Sequence, residues 1–316
     1  MTDTQNEVFK SPVNKIRLFE HGAPGSQNLK LTRKYYTEDM PDGRVKHIVQ
    51  NITDPDIVPY IPDGIGNSTD RQRIPAVLII PGGAFRRLVY NFEGEDVAKW
   101  LNSMGIAAFV LECRLPSDEH DNAEDVPLID AMRAMRVIRG RAQEFGIDEA
   151  KIGVMGFSAG GFMAALLSTA YESDVYADYK YKDEYDKLSA RPDFAVCSYP
   201  VISIDDCIEA GKRYMSEEQV LERISDSKAK ILHKYNPDKL VRPDMPPVFI
   251  CETDDDRTTL SENSVGFYMA ARKAGVSAEL HIFRTGGHGY GCGDDFAQTG
   301  EWKVLFTKWI KSIGII

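Results

Sequence analysis

Apolar and polar positions change their rhythm near Pro75. Before it, stretches such as Leu29–Tyr36 and Val45–Ile52 alternate apolar and polar residues, the period-two pattern of antiparallel strands with one wet face. After it, short continuous apolar runs are separated by segments of helical length and periodicity. That alternation predicts a mostly parallel sheet, buried on both faces, with helices as the crossovers. The expected strands are Ala76–Ile80, Ala107–Leu111, Ile152–Met155, Phe194–Ser198, Val248–Cys251 and Glu279–Phe283. The expected helices lie near Gly94–Ser103, Leu128–Glu144, Ala159–Ala170, Ser261–Ala274 and Thr299–Ile313. Asp130, Arg133, Arg136 and Arg139 recur along the second of these as a polar face, whose charges are expected to be solvated. Two segments break the alternation. Tyr171–Asp193 is rich in Tyr, Asp and Lys, and Ile202–Arg242 carries an expected helix around Glu217–Leu232. The second falls between two strands, where an insertion could cap a site at the sheet edge. The expectation is one α/β domain over residues 1–316, with 202–242 as its cap or insertion.

Composition narrows the class. The chain has 316 residues, 43% hydrophobic and 27% charged, with a net charge of −10. Such length supports a sizeable core. The acidic balance disfavours nucleic acid and anionic membranes as partners, because both repel it. No apolar run is long enough to span a bilayer. The polar start Met1-Thr-Asp-Thr-Gln-Asn-Glu lacks a signal-peptide core, so a cytoplasmic location is expected. Of five cysteines, Cys113, Cys197 and Cys251 sit in apolar strand-like runs; with Cys207 and Cys292 they form no Cys-x-x-Cys spacing. They read as small hydrophobes, neither disulfide staples nor metal ligands.

The chemistry enters at Lys151-Ile-Gly-Val-Met-Gly-Phe-Ser158-Ala-Gly-Gly161. An apolar run, a Gly-x-Ser-x-Gly turn and the start of a helix form the strand–turn–helix context in which a Ser is held strained and exposed above a sheet edge. A Ser hydroxyl is a poor nucleophile near neutral pH. It needs a base, an orienter for the base and donors for the oxyanion. His288, in Gly286-Gly-His-Gly-Tyr-Gly291 just after a strand, is the expected base; His21, His47, His120, His233 and His281 lie in ordinary contexts. The acidic cluster Asp254-Asp255-Asp256 follows the preceding strand, and Asp255 is the expected acid among the three. The order Ser, Asp, His is that of a nucleophile-elbow hydrolase. Pro81-Gly-Gly-Ala-Phe85 ends an early strand, so amide donors are expected from Gly83 or Ala84, joined by Ala159 after the nucleophile. Phe85, Phe157 and Tyr290 are the expected substrate contacts.

With these blocks in place the chain resembles the acetyl esterase and acetylxylan-esterase-like (BD-FAE-like) branch of the α/β-hydrolases. Further matching blocks are Glu93-Gly94, Gly105-Ile-Ala-Ala-Phe-Val-Leu, Arg191-Pro-Asp-Phe, Tyr199-Pro-Val-Ile, Glu262-Asn-Ser and Leu18-Phe-Glu-His-Gly-Ala-Pro-Gly. The resemblance implies a serine esterase for short acyl groups such as acetyl on carbohydrate, with no metal or organic cofactor. Aligned forward from Glu262-Asn-Ser, it implies Asp255 as the acid. It departs from the family pattern at Ala84-Phe85, where a third Gly and a Tyr are usual, and at Cys113-Arg-Leu, where Tyr-Arg-Leu is usual. Both departures bear on the acyl or sugar pocket. The expected partner is a small ester, with a homo-oligomer left open. A serine peptidase and a silent hydrolase-fold binding protein are the rival readings.

Overall fold

The computed structural model describes residues 9–64, 73–216, 218–220, 222, 230–293 and 297–316. The apolar runs become a single eight-stranded sheet. Its strands are β1 (Ile16–Arg17), β4 (Asp56–Tyr60), β5 (Ile74–Ile80), β7 (Ala107–Glu112), β8 (Ile147–Phe157), β9 (Ala195–Ser198), β10 (Val248–Thr253) and β11 (Ala278–Phe283). They lie in the order β1-β4-β7-β5-β8-β9-β10-β11. From β7 to β11 neighbours pair in parallel, whereas β4 runs antiparallel to β7 and β1 to β4. The alternating N-terminal stretches form a separate antiparallel sheet of β2 (Lys34–Asp39), β3 (Val45–Gln50) and the short β6 (Leu88–Val89).

The order explains where a site must lie. From β5 the chain crosses to β7 on one side, then returns to place β8 on the other side of β5. Right-handed crossovers in opposite directions put their helices on opposite faces. Thus α1 (Asp96–Ser103) covers one face, and α2 (Val126–Gly140), the single turn α3 (Ala142–Phe145) and α4 (Ala159–Ala170) the other. The carboxyl ends of β5 and β8 then diverge at the reversal of strand order, leaving a crevice between their loops. The remaining helices are α5 (Ile204–Tyr214), α6 (Lys230–Lys234), α7 (Ser261–Lys273) and α8 (Glu301–Ser312). Helix α8 meets α1 through Trp302 and Phe306 on Trp100, with ring centroids 4.9 and 5.4 Å apart. No helix among the described residues is long and apolar enough to cross a membrane.

Three expectations change. The helix expected over Leu128–Glu144 starts at Val126 and breaks after Gly140, where a Cβ would stand 2.3 Å from the Tyr185 ring. Its polar face is not solvated. Asp130 is fully buried against Arg114, and Arg133 is buried and grips Asp183 and Asp186. Arg136 reaches Tyr176 and the Leu188 carbonyl, and Arg139 reaches the Ser189 and Arg191 carbonyls. These arginines hold the 171–193 segment to the body, so its Tyr and Asp residues are their partners. In the 202–242 stretch, α5 was not anticipated. Of the helix expected around Glu217–Leu232, residues 217, 221 and 223–229 lie outside the described residues. Its last residues fall in α6, whose Lys234, with Tyr235 just after it, contacts Asp125.

Candidate active site

Strand β8 delivers Ser158 at a turn that only small residues permit. Ser158 has φ +54° and ψ −118°, a region that costs an L-residue of order 1–3 kcal/mol. The backbone closes so tightly around it that a Cβ on Gly156 would lie 1.9 Å from the Gly160 carbonyl oxygen. A Cβ on Gly160 would lie 1.9 Å from the Ile80 carbonyl oxygen. The flanking glycines are therefore required by contact with other backbone. The Ser158 amide donates to the Ser198 carbonyl at 3.0 Å, which locks the turn to β9.

His288 Nε2 stands 2.9 Å from Ser158 Oγ, and His288 Nδ1 stands 2.6 Å from Asp256 Oδ2. The expectation of Asp255 is corrected by this geometry. Asp255 Oδ1 instead accepts the Gly286 and Gly287 amides at 2.9 and 2.8 Å. It shapes the loop that carries His288, while its neighbour makes the contact. The reason is the turn after β10. There the Thr258 and Thr259 amides donate to Asp256 Oδ1 at 2.7 and 2.9 Å, folding that side chain inward to 2% exposure. Burial alone would raise the Asp256 carboxyl. The His288 contact and the two amides outweigh it and hold the group below its ordinary 3.8. An acceptor-only carboxylate on Nδ1 leaves the proton there, so Nε2 is free to accept from Ser158.

The loop after β5 leans on Ser158. A Cβ on Gly82 would lie 2.9 Å from Ser158 Cβ. Gly83, Ala84 and Phe85 follow with φ of +139°, +57° and +59°, a curl that β6 anchors by pairing with β3. A Cβ on Gly83 would meet the Arg87 carbonyl oxygen at 2.1 Å. The Gly82 amide is already committed, donating to Glu93 Oε2 at 2.8 Å. The amides free to face a ligand are accordingly those further along the curl and that of Ala159, at the start of α4, where helical geometry leaves an amide without an intrahelical partner.

The three expected substrate contacts separate. Phe85 packs edge-on against Phe162 at 5.6 Å and borders a cavity of about 10 Å³ shared with Gly82, Cys113, Leu115, Ala159 and Met163. Phe157 is corrected: it is fully buried and packs on Tyr199 and Trp302, because strand alternation turns it away from the crevice. The Tyr290 hydroxyl is likewise buried, and its ring packs edge-on against Tyr199 at 4.5 Å.

Two residues that motif reading passed over lie at the centre. Glu93 and Tyr199 are buried, and the Tyr199 hydroxyl donates to Glu93 Oε1 at 2.9 Å. Their only signal in the sequence was membership of the blocks Glu93-Gly94 and Tyr199-Pro-Val-Ile. No group of three or more His, Cys, Asp or Glu side chains among the described residues converges as a metal site does.

Comparison with known proteins follows the same lines. A family model described as BD-FAE matches residues 65–270. An acetylxylan esterase of Xylanibacter ruminicola is 31% identical over 240 residues, 75% of this chain and 45% of the relative. This chain thus spans less than half the length of that protein. The crystal structure of an acetyl ester-xyloside bifunctional hydrolase from Caldicellulosiruptor lactoaceticus superimposes with a TM-score of 0.70 at 34% identity, covering 96% of this chain and 97% of that one. An esterase of Thermogutta terrifontis, 24% identical with a TM-score of 0.65 over 93% of this chain and 96% of its own, shares the fold.

Proposed function

The chain belongs to the BD-FAE family and has the α/β-hydrolase fold, and from that premise we propose that it is a serine carboxylesterase for short acyl esters, acetyl on carbohydrate first among them. One observation carries the reading: the unbroken Ser158–His288–Asp256 contact line at 2.9 and 2.6 Å. Ser158 Oγ attacks the ester carbonyl carbon while its proton passes to His288 Nε2. Asp256 holds the Nδ1 proton in place and stabilises the imidazolium that forms. The carbonyl oxygen, now an oxyanion, takes hydrogen bonds from the Ala159 amide and from Gly83 or Ala84. His288 then gives its proton to the departing alcohol, and the acyl group stays on Ser158. Water attacks that ester with His288 again as base, releasing the acid and restoring the hydroxyl.

The acyl-length preference is supported by the small cavity beside Ala159. Its room is of the order of one water-sized group, which favours a short acyl chain such as acetyl over a longer one. The acetyl-carbohydrate preference is supported by what the two relatives of 31% and 34% identity are named for. The 202–242 stretch is read as the cap of a single domain. Its first residues are tied to α7, where Asn263 Oδ1 accepts the Ile202 and Ser203 amides.

The test is hydrolysis of p-nitrophenyl acetate, propionate and butyrate beside acetylated xylo-oligosaccharides. Acetate turns over fastest, and Ser158→Ala lowers kcat by roughly 10⁴- to 10⁶-fold. Retained turnover in that variant removes Ser158 from the mechanism. Equal rates on acetate and butyrate remove the acyl-length reading.

A further inference from the structure

Two loops must keep register for this site to work: the curl that supplies amide donors and the loop that carries the base. They come from opposite ends of the chain and share no backbone pairing. Between them runs a buried polar line. The Gly82 amide donates to Glu93 Oε2 at 2.8 Å, Tyr199 donates its hydroxyl proton to Glu93 Oε1 at 2.9 Å, and the Gly291 amide donates to the Tyr199 hydroxyl oxygen at 3.0 Å. Gly82 abuts Ser158, and Gly291 is three residues beyond His288. A second contact reinforces the line: a Cβ on Gly291 would lie 2.5 Å from the carbonyl oxygen of Phe92, the residue before Glu93.

The residues at the centre have little freedom. Tyr199 is fully buried with φ +37°, and its amide is pinned to the Cys251 carbonyl at 2.7 Å. Its ring lies edge-on to the His288 imidazole at 5.0 Å. Glu93 enters from a π-helical turn, Asn91–Glu95, whose wider winding turns the side chain inward. The Gly82 amide donates to one Glu93 oxygen and the Tyr199 hydroxyl, which itself accepts the Gly291 amide, donates to the other, so both carboxyl oxygens act as acceptors in the line. Burial pushes this carboxyl up, opposed first by the charge of His288.

We infer that Glu93 and Tyr199 are positioning residues that couple the oxyanion-donor curl to the base loop, so that donors and base hold one geometry through the proton transfers. This rests on the esterase reading above. Neither residue touches substrate. Their loss costs kcat and leaves KM nearly unchanged.

The experiment compares Glu93→Gln, Tyr199→Phe and the double variant on p-nitrophenyl acetate, with active sites counted by a fluorophosphonate so that kcat refers to folded enzyme. Each single variant is expected to lower kcat by about 10- to 100-fold with KM within about threefold, the range seen when a supporting hydrogen bond is removed. The double variant should be little worse than the worse single one, because a line broken once is broken. Two results overturn the inference: kcat per active site within about threefold of wild type in Tyr199→Phe, or strictly multiplicative losses in the double variant. If Glu93→Gln does not fold, Tyr199→Phe decides alone, since it removes one oxygen and keeps the ring. The labelling rate separates this inference from the one beneath it, because phosphonylation needs nucleophile, base and donors but no acyl substrate. A wild type that labels but cleaves no ester defeats the esterase reading and leaves the coupling measurable from labelling rates. A wild type active in both assays, with unchanged variants, defeats the coupling alone. A wild type inert in both defeats both.

Discussion

The turn that carries Ser158 and the pair of loops that carry Asp256 and His288 meet at one candidate site, yet they are built by different physics. The Ser158 turn is steric. Gly156 and Gly160 are excluded from having side chains by the carbonyl oxygens of Gly160 and Ile80, each 1.9 Å from where a Cβ would sit, so backbone contact within the turn and with β5 dictates the conformation. The loops are polar and distant in sequence. Asp256 and His288 are 32 residues apart, and their meeting depends on Thr258, Thr259, Asp255 and the parallel pairing of β10 with β11. A steric device tolerates no substitution. A hydrogen-bonded one fails by degrees, according to which bond is lost.

The comparison breaks most sharply at Gly156→Ala. The added methyl meets backbone that cannot swing aside, so the variant should lose at least about 3 kcal/mol of stability and nearly all activity; chemical denaturation beside ester hydrolysis checks both. Next comes Asp256→Asn. It keeps the shape but presents the wrong partner to Nδ1, and kcat is expected to fall about 10³- to 10⁴-fold with Tm only slightly changed. Asp255→Asn should fall far short of that, with kcat within about tenfold of wild type, because the amide oxygen still accepts Gly286 and Gly287. If Asp255→Asn were the more damaging of the two, the acid would have to be reassigned.

A smaller effect concerns acid stability. The folded Asp256 carboxyl lies below its ordinary 3.8. In acid the unfolded chain therefore binds its proton first, and stability rises with pH across that window. The contribution is fully present above 3.8 and is lost as pH falls through the lower folded value. Wild type should consequently lose Tm more steeply than Asp256→Asn below about pH 4, a difference readable by calorimetric scans from pH 5 to 2.5. Parallel curves would show that the aspartate's bonds are no stronger in the native state than in water.

Reading the chain picked out Ser158 and His288, which the fold brings to 2.9 Å, because β10, β11 and the glycine motifs leave strong local marks. It missed by one residue among Asp254, Asp255 and Asp256, which are indistinguishable by composition and pattern. Which of them turns inward depends on amide donors two and three residues downstream. Phe157 was misread for a related cause: it adjoins the nucleophile in sequence, but strand alternation sends its ring toward Trp302. The arginines of α2 were misread because periodicity shows a polar face without showing what covers it. Here the cover is the 171–193 segment, and the charges are its anchors.

From sequence alone came the parallel sheet, the Gly-x-Ser-x-Gly turn at Ser158 and the glycine loops at 82–83 and 286–291, because each rests on short-range rules of burial period and backbone space. Tertiary structure alone decided which aspartate meets the imidazole, which aromatics border the crevice, and that Glu93 and Tyr199 join the two loops. Those choices turn on where hydrogen-bond donors from remote segments arrive, and a buried polar group takes the partner that the fold brings to it.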